Sequence, residues 1–277
     1  MATPADTSPL DTQAIAAEAL AALDGKRQIT PFSSRLAGFD LRSAYRAAAQ
    51  VQALRVARGE RPLGRKIGFT NSGIWPEYGV FAPIWGPMYQ HSVHDIAALG
   101  GRFALAGLLQ PRIEPEIVFG LGRAPTAGMD DAALMGCIVW VAHGFEIVHS
   151  IFPDWRFTAA DTVAAFGLHG ALLLGPLRPV GADAQAWRDG LPRFAIELLW
   201  DGEVVDQGQG TNVLGSPLAA LRHLIELLAA DAAQPPLAAG EIITTGTLTR
   251  ALPIAAGQRW QTRLDGIPLP GLDLQFD

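Results

Sequence analysis

A pair of carboxylates inside an apolar stretch is the feature that most restricts how this chain of 277 residues can fold. Glu114 and Glu116 lie within residues 112–120, RIEPEIVFG, whose β-branched and aromatic side chains are typical of a strand. Because side chains alternate between the two faces of a strand, both carboxylates point the same way. Two like charges in apolar surroundings repel each other and lose hydration, so the fold must offset both effects.

A third acid, Glu146, lies in another apolar stretch, residues 144–148, GFEIV. A divalent cation would offset both the repulsion and the lost hydration of such acids. Carboxylate oxygens without thiolates suit a hard ion, Mg²⁺ or Mn²⁺, with Glu114, Glu116 and Glu146 as its ligands. The residues leave one alternative open, in which the acid pair lies on a solvated sheet face and Glu146 pairs with an arginine.

Lysine is rare in this chain, since only two of its 21 basic residues are lysines, Lys26 and Lys66. Lys26 lies in a polar turn, whereas Lys66 lies within residues 64–70, GRKIGFT, a stretch typical of a strand. Arginine stays protonated in proteins, whereas a lysine exchanges a proton when its pKa is lowered. Lys66 is therefore a candidate acid–base group, with chance retention on a solvated strand as the alternative.

The composition excludes several classes of protein. Hydrophobic residues make up 49% of the chain and charged residues 17%, which predicts a sizeable core. The net charge of −6 and the lack of any long basic tract argue against a nucleic-acid or membrane partner. The single cysteine excludes an internal disulfide and a cysteine metal cluster. No signal peptide is visible at the N-terminus, so we expect a cytoplasmic protein.

Local patterns predict three helices. Residues 11–24 and 41–58 have helical periodicity, and Asp11 is placed to cap the first of these helices. Residues 216–230 form the clearest helical pattern, with Ser216 as the cap, a proline in the first position and strongly apolar residues after it.

The rest of the chain predicts mainly strands. Residues 194–208 are typical of a hairpin with an Asp-Gly turn, and residues 71–101 lack periodicity, which predicts a long loop. We therefore expect an α+β fold. Residues 1–70 are predicted to form a small helical N-terminal lobe that includes the lysine strand. Residues 71–277 are predicted to form a larger mixed, mostly antiparallel β domain.

Six motifs occur in an order that resembles the fumarylacetoacetate hydrolase superfamily, in its branch of 2-keto-4-pentenoate hydratases and 4-oxalocrotonate decarboxylases. The motifs are GRKIGFT, PRIEPEIVFGLG, GFEIVHSIFPDW, DTVAAFGLHGALLLG, GQGTNVLGSPLAALRHLIELLA and LAAGEIITTGTL. The resemblance covers roughly residues 30–260. The resemblance implies the β-rich fold of that family. It also implies that Lys66 is the acid–base lysine and that Glu114, Glu116 and Glu146 are the metal ligands.

The resemblance further implies a Mg²⁺- or Mn²⁺-dependent lyase in aromatic-compound catabolism. The first expectation is hydration of a 2-hydroxy-2,4-dienoate, a small 2-oxo acid in its dienol form. Decarboxylation of a 4-oxalocrotonate-like diacid, C–C hydrolysis of an acylpyruvate and a catalytically silent acid-binding relative are the alternatives. The family commonly assembles from identical subunits, so a homo-oligomer is implied as well.

The same resemblance places the segment Thr245, Gly246 and Thr247 at the substrate carboxylate, where its N–H and hydroxyl groups serve as donors. A plain turn with satisfied hydroxyls is the alternative for each threonine. Gln209 is a weaker candidate for the same substrate-binding role. Arg65, next to the lysine, alternates to the opposite face of its strand, so we expect it in a structural ion pair.

The chain departs from the hydratase pattern in two places. Glu77, in WPEYG, replaces an Asp that the family carries, and it is either a catalytic group that orients water or Lys66, or a solvated loop acid. Residues 165–170, AFGLHG, replace a set of small polar residues, which makes the predicted pocket wall more apolar. His169 in this segment is either a catalytic or substrate-contacting group or a structural histidine.

Overall fold

A computed structural model describes residues 10–277, apart from the side chains of Glu77 and Tyr78. Its α-helices are α1 (Thr12–Asp24), α2 (Leu41–Ala57), α3 (Trp75–Tyr78), α4 (Asp131–Met135), α5 (Ala159–Ala164), α6 (Ala184–Gly190) and α7 (Pro217–Ala229). Its first strands are β1 (Pro62–Gly68), β2 (Ile84–Tyr89), β3 (Val93–Asp95), β4 (Arg102–Phe103), β5 (Arg112–Leu121), β6 (Ile138–Val148) and β7 (His169–Leu174). The later strands are β8 (Arg178–Pro179), β9 (Ala195–Trp200), β10 (Glu203–Gln209), β11 (Ile242–Thr244), β12 (Leu252–Pro253), β13 (Arg259–Asp265) and β14 (Asp273–Phe276).

The strands form two sheets. In the part of the chain that the structure describes, the larger sheet has nine strands in the main order β2-β1-β11-β5-β6-β7-β3, with β12 beside β5 and β8 beside β6. The smaller sheet has the order β10-β9-β13-β14-β4. Among the strand pairs of residues 10–277, only β1–β11, β3–β7 and β14–β4 are parallel. The predicted α+β class with a mixed, mostly antiparallel β part is therefore confirmed.

Two apolar clusters tie these parts together. Phe145 and Leu173 of the larger sheet pack with Trp260 and Phe276 of the smaller sheet. A second cluster contains the buried faces of α1 and α2 together with α5 and the segment that follows it. The N-terminal helices are thus packed against the segment that leads into β7.

Side-chain caps begin the predicted helices where expected. Asp11 accepts hydrogen bonds from the backbone N–H groups of residues 13 and 14, which fixes the start of α1. Ser216 accepts from the N–H groups of residues 218 and 219 at the start of α7. The hairpin of β9 and β10 has positive φ at both turn residues, 50° at Asp201 and 89° at Gly202, as an Asp-Gly turn of this kind requires. These three expectations are confirmed.

The prediction of an unbroken loop over residues 71–101 was wrong. β2 lies in this stretch and pairs antiparallel with β1, with Gly86 opposite Lys66. Gly86 and Pro87 interrupt the local strand pattern, yet the strand is held by its neighbour and is largely buried. A Cβ atom on Gly86 would lie 3.0 Å from the carbonyl oxygen of Phe166, so the close approach of two chain segments favours glycine here.

The predicted division at residue 70 stays a prediction. β1 lies before that boundary, but it is hydrogen-bonded to β2 on one side and to β11 on the other. The lysine strand is therefore an integral part of the larger sheet. Among the described residues, no helix is both long and apolar enough to cross a membrane.

A buried carboxylate joins the N-terminal segment to α5. Asp161 is fully buried and accepts hydrogen bonds from the N–H and hydroxyl groups of Ser33 and of Thr158. Four donors from two separate chain segments therefore converge on one side chain.

We predict that Asp161→Ala lowers the free energy of unfolding by about 3 kcal/mol, because it leaves those buried donors without a partner. Urea denaturation measures this loss. Asp11→Ala is the matched control, since it removes a carboxylate cap at an exposed helix start, and we expect a loss of about 1 kcal/mol. Equal losses in the two variants would contradict the joining role of Asp161.

Candidate functional site

Two neighbouring strands bring the three acids together. Glu114 on β5 and Glu146 on β6 are direct partners in the antiparallel register. Glu116 lies two residues further along β5, on the same face as Glu114. One carboxylate oxygen from each of the three lies within 4.8 Å of the others. The pairing of β5 with β6 thus builds the cluster that the sequence pattern predicted.

Two oxygens of this cluster have no hydrogen-bond partner among the described residues. Glu116 is fully buried, and its Oε2 accepts from the N–H of Gly246 at 2.6 Å, whereas its Oε1 is unpartnered. Glu146 is also fully buried, and its Oε1 is 2.8 Å from Nδ1 of His169, whereas its Oε2 makes no hydrogen bond. Unpartnered buried carboxylate oxygens are strongly unfavourable, and a divalent cation fits such oxygen donors.

The pKa values of the acids diverge. Burial raises the pKa of Glu114 to about 7. Burial also raises the pKa of Glu116 well above its usual range, with the charges of Glu146 and Glu114 adding to the effect. Burial opposes ionisation of Glu146 too, but the charge of Lys66 and the hydrogen bond from His169 outweigh it and lower the pKa of Glu146 to about 2. The cluster without a cation therefore retains protons that metal binding would release.

Lys66 lies beside the acids on β1. Its Nζ donates to the carbonyl oxygen of Gly167 at 3.0 Å and lies 3.3 Å from Oε2 of Glu146, in an ion pair without hydrogen-bond geometry. Burial favours the neutral amine, but the charges of Glu146, Glu114 and Glu116 outweigh burial and raise the pKa of Lys66. Without a cation, Lys66 is therefore a charged ammonium. The lowered lysine pKa that the sequence suggests would apply only to a site that holds a cation.

A cavity lies beside Lys66 and Glu114. Its polar lining residues are Lys66, Glu114 and Thr247. The remaining wall is formed by Gly68, Phe69, Ile74, Val148, Trp155, Gly167 and Leu168. The lining is therefore mostly apolar, and the lysine, the acid and the threonine are its polar groups.

The three residues of the segment Thr245, Gly246 and Thr247 make different contacts. Thr245 donates its hydroxyl to the carbonyl of Ile117, and Gly246 donates its N–H to Glu116, so only Thr247 lines the cavity. A Cβ on Gly246, whose φ is 92°, would lie 1.8 Å from a Thr70 hydroxyl oxygen, so only glycine fits there. The segment thus supports the acid cluster more directly than it faces a substrate.

The other predicted residues are more distant or lie outside the description. Gln209 is exposed at the end of β10 and does not line the cavity. Glu77 lies on α3, and its side chain is outside the described residues. Arg65 pairs with Glu241 at 3.2 Å, as expected of a structural cation.

Two partners of the site were missed from the sequence. Ser92, whose Oγ is 2.9 Å from Nε2 of His169, lies in the stretch predicted to be a loop. The carbonyl of Gly167 is the acceptor for Lys66, and a backbone acceptor leaves no mark in residue type. Gly167 has a positive φ of 62°, which gives its carbonyl this orientation. Glycine readily adopts such a φ, but the presence of a glycine does not by itself predict one.

Comparison with known proteins places these features in a family. The sequence matches the family of fumarylacetoacetate (FAA) hydrolase C-terminal domains over residues 88–269. It is 33% identical over 266 residues to 2-keto-4-pentenoate hydratase 1 of Dechloromonas aromatica, with 95% of this chain and 96% of the relative covered. It is 29% identical over 216 residues to a 4-oxalocrotonate decarboxylase of a Pseudomonas species, covering 76% and 80%.

The fold comparison agrees. The 4-oxalocrotonate decarboxylase of Pseudomonas putida G7, solved with magnesium and adipate, superimposes with a TM-score of 0.85 at 24% identity, covering 96% of this chain and 97% of that chain. At that identity the likeness shows the fold alone. The family and fold expected from the six motifs are confirmed.

We predict that Glu116→Gln stabilises the protein in the presence of a chelator, because the amide removes the cost of burying a carboxyl group that would be ionised in the unfolded chain, and it can still accept from Gly246. The expected gain of about 1 kcal/mol corresponds to a rise of about 3 °C in melting temperature. In the wild type, a divalent cation at 100 times its Kd adds about 2.7 kcal/mol, and we expect the variant to lose most of that increment.

Differential scanning fluorimetry with EDTA, Mg²⁺ or Mn²⁺ measures both effects. Glu203→Gln is the control, because Glu203 is an exposed acid on β10, far along the chain from the cluster. Its melting temperature should match the wild type under every condition. A Glu116→Gln variant that is destabilised in EDTA, yet still stabilised by metal, would contradict the ligand assignment.

Proposed function

This chain belongs to the fumarylacetoacetate hydrolase family, and we propose that it is a divalent-metal-dependent lyase that hydrates a 2-hydroxy-2,4-dienoic acid in aromatic-compound catabolism. The observation that carries the proposal is the acid cluster next to the ammonium of Lys66, in which one oxygen each of Glu116 and Glu146 makes no hydrogen bond with the described residues. Relatives named as 2-keto-4-pentenoate and 2-hydroxyhexa-2,4-dienoate hydratases support the choice of reaction.

We assign Glu114, Glu116 and Glu146 as the residues that hold the cation. Their donors are carboxylate oxygens only, which favours Mg²⁺, with Mn²⁺ as the alternative. When bound, the cation would supply Lewis-acid stabilisation of the enolate form of a 2-oxo acid. Related structures carry magnesium, calcium or Mn²⁺ in their complexes, which supports a divalent ion of this kind.

Lys66 is the proposed acid–base residue. Its Nζ lies at the wall of the cavity, beside the acid cluster, and the carbonyl of Gly167 fixes its position. In this role Nζ donates a proton to, or accepts one from, a carbon atom in the hydrocarbon part of the substrate, next to its 2-oxo group. Glu77 on α3 is proposed to orient the water that adds to the substrate.

The rest of the cavity is proposed to bind the substrate. The hydroxyl of Thr247 donates to the carbonyl of Thr249 in this structure, and we propose that it exchanges that acceptor for the substrate carboxylate. Thr245 and Gly246 are proposed to hold this segment in place, because their own donors are engaged by Ile117 and Glu116. Phe69 and Leu168 belong to the apolar wall, which suits a hydrocarbon tail and limits the access of water. A tail without a second charge fits this wall better than a diacid does, which favours the hydratase.

A 4-oxalocrotonate-type decarboxylase is the second candidate. Loss of the distal carboxylate as CO₂ sends its electron pair through the conjugated double bond to the 2-oxo oxygen and leaves a dienolate, so the same residues would serve. The similarity over 216 residues to a decarboxylase favours this candidate specifically. Acylpyruvate hydrolysis and a silent acid-binding relative remain as outcomes of the activity test.

We predict that Lys66→Met lowers turnover by about 10³-fold, because it removes the group that moves the proton. The assay follows the loss of dienol ultraviolet absorption for a panel of 2-hydroxydienoic and 2-oxo acids with Mg²⁺ or Mn²⁺. Released CO₂ identifies a decarboxylase. Lys26→Met is the matched control, since Lys26 is the other lysine and is exposed.

The control variant should turn over substrate as the wild type does. Calorimetric binding of Mn²⁺ to Lys66→Met separates a lost acid–base group from a lost metal site, and we expect binding to persist. Full turnover by Lys66→Met would reject the acid–base assignment. A wild type that transforms none of the acids, while binding them, would favour the silent relative.

A further inference from the structure

His169 contacts the acid cluster at Glu146 and does not line the cavity beside Lys66. It is the first residue of β7, and its side chain is buried. Its Nδ1 is 2.8 Å from Oε1 of Glu146, and it is absent from the residues that line the cavity beside Lys66. A group in this position reaches a metal ligand but not a substrate bound in that cavity.

The other side of the imidazole ring is held as well. Nε2 of His169 is 2.9 Å from Oγ of Ser92, whose hydroxyl donates to the carbonyl oxygen of Tyr89 at 3.0 Å. Ser92 ends a short 3₁₀ turn over Gln90–Ser92, directly after β2. Because both ring nitrogens have partners, the ring has one orientation, and that orientation aims Nδ1 at Glu146.

This contact decides which oxygen of Glu146 is left for a cation. Oε1 is engaged by His169, so Oε2 is the atom that lies 3.3 Å from Nζ of Lys66 and has no hydrogen-bond partner. Without the imidazole, the carboxylate could rotate and use both oxygens on the lysine. Groups that orient a metal ligand in this way commonly change metal affinity by about 10- to 100-fold when they are removed.

The backbone just before His169 is strained, and this strained segment makes two of the contacts that build the site. Phe166, Gly167 and Leu168 all have positive φ, at 62°, 62° and 63°, which is unfavourable for the two residues with a side chain. The same segment delivers the carbonyl of Gly167 to Lys66 and the imidazole of His169 to Glu146. One short segment therefore fixes both the lysine and a metal ligand.

We propose that His169 is a positioning residue for the divalent cation: it holds Oε1 of Glu146, leaves Oε2 for the metal, and so sets metal affinity without touching the substrate. The inference rests on the metal assignment in the proposed function. It replaces the direct catalytic role that the sequence suggested for His169 with an action through Glu146.

The test compares His169→Asn with His169→Leu by calorimetric titration of Mn²⁺ in the absence of substrate. The Asn amide can place a donor near the position of Nδ1, whereas Leu has none. We expect His169→Leu to bind Mn²⁺ about 10- to 100-fold more weakly and His169→Asn to recover most of the affinity. At saturating Mn²⁺, His169→Asn should turn over substrate at close to the wild-type kcat.

His149→Asn is the matched control, because His149 is also a buried histidine but is hydrogen-bonded to the N–H of Leu109 instead of to an acid. We expect its Mn²⁺ affinity to equal that of the wild type. Ser92→Ala leaves the imidazole in place without its support, and we expect an affinity between those of the wild type and His169→Leu. This variant keeps the comparison informative if His169→Leu does not fold.

Several results would overturn the inference. These are unchanged Mn²⁺ affinity in His169→Leu and Ser92→Ala, an Asn variant that binds as weakly as the Leu variant, or a low kcat for His169→Asn at saturating Mn²⁺. A wild type that binds Mn²⁺ but transforms no dienoic acid would contradict the proposed function alone, because the affinity comparison would still hold. A wild type that binds no divalent cation would overturn both.

Discussion

The mutual repulsion of three clustered acids, two of them fully buried, is the constraint on which the rest of this structure depends. The ammonium of Lys66 offsets part of that charge, and Gly246 and His169 each engage one carboxylate oxygen. One oxygen of Glu116 and one of Glu146 nevertheless accept no hydrogen bond from the part of the chain that the structure describes. A protein that keeps such oxygens buried forgoes stability unless something binds them, and a divalent cation is the partner that matches their charge and chemistry.

The fold meets this constraint by converging on the cluster from separate parts of the chain. The pairing of β5 with β6 places the acids, β1 supplies Lys66, and the turn after β11 supplies the N–H of Gly246. The segment before β7 adds the carbonyl of Gly167 and the imidazole of His169. Gly167 and Gly246 both have positive φ, so the backbone groups that support the site come from conformations that glycine adopts readily.

The sequence predicts the features of the fold and the site that depend on local periodicity. The shared face of Glu114 and Glu116 follows from the two-residue repeat of a strand, and helix starts follow from caps such as Asp11. Contacts between distant segments have no local pattern, which is why Ser92 was missed. β2 was missed because Gly86 and Pro87 break its pattern, while its stability comes from the neighbouring strand. The family resemblance gave the identity of the acid cluster, but not the orientation of its oxygens.

The adjacent cations Arg65 and Lys66 show how the chain separates structure from chemistry. Strand alternation sends them to opposite faces. Arg65 is committed to Glu241 and to the carbonyls of Pro235 and Pro236, where a planar group with several fixed donors is an advantage. On the other face, an arginine would satisfy the carboxylates but would keep its proton. The lysine makes an ion pair with Glu146 without a hydrogen bond and retains a proton that it can transfer, which is the combination that a metal-assisted proton transfer requires.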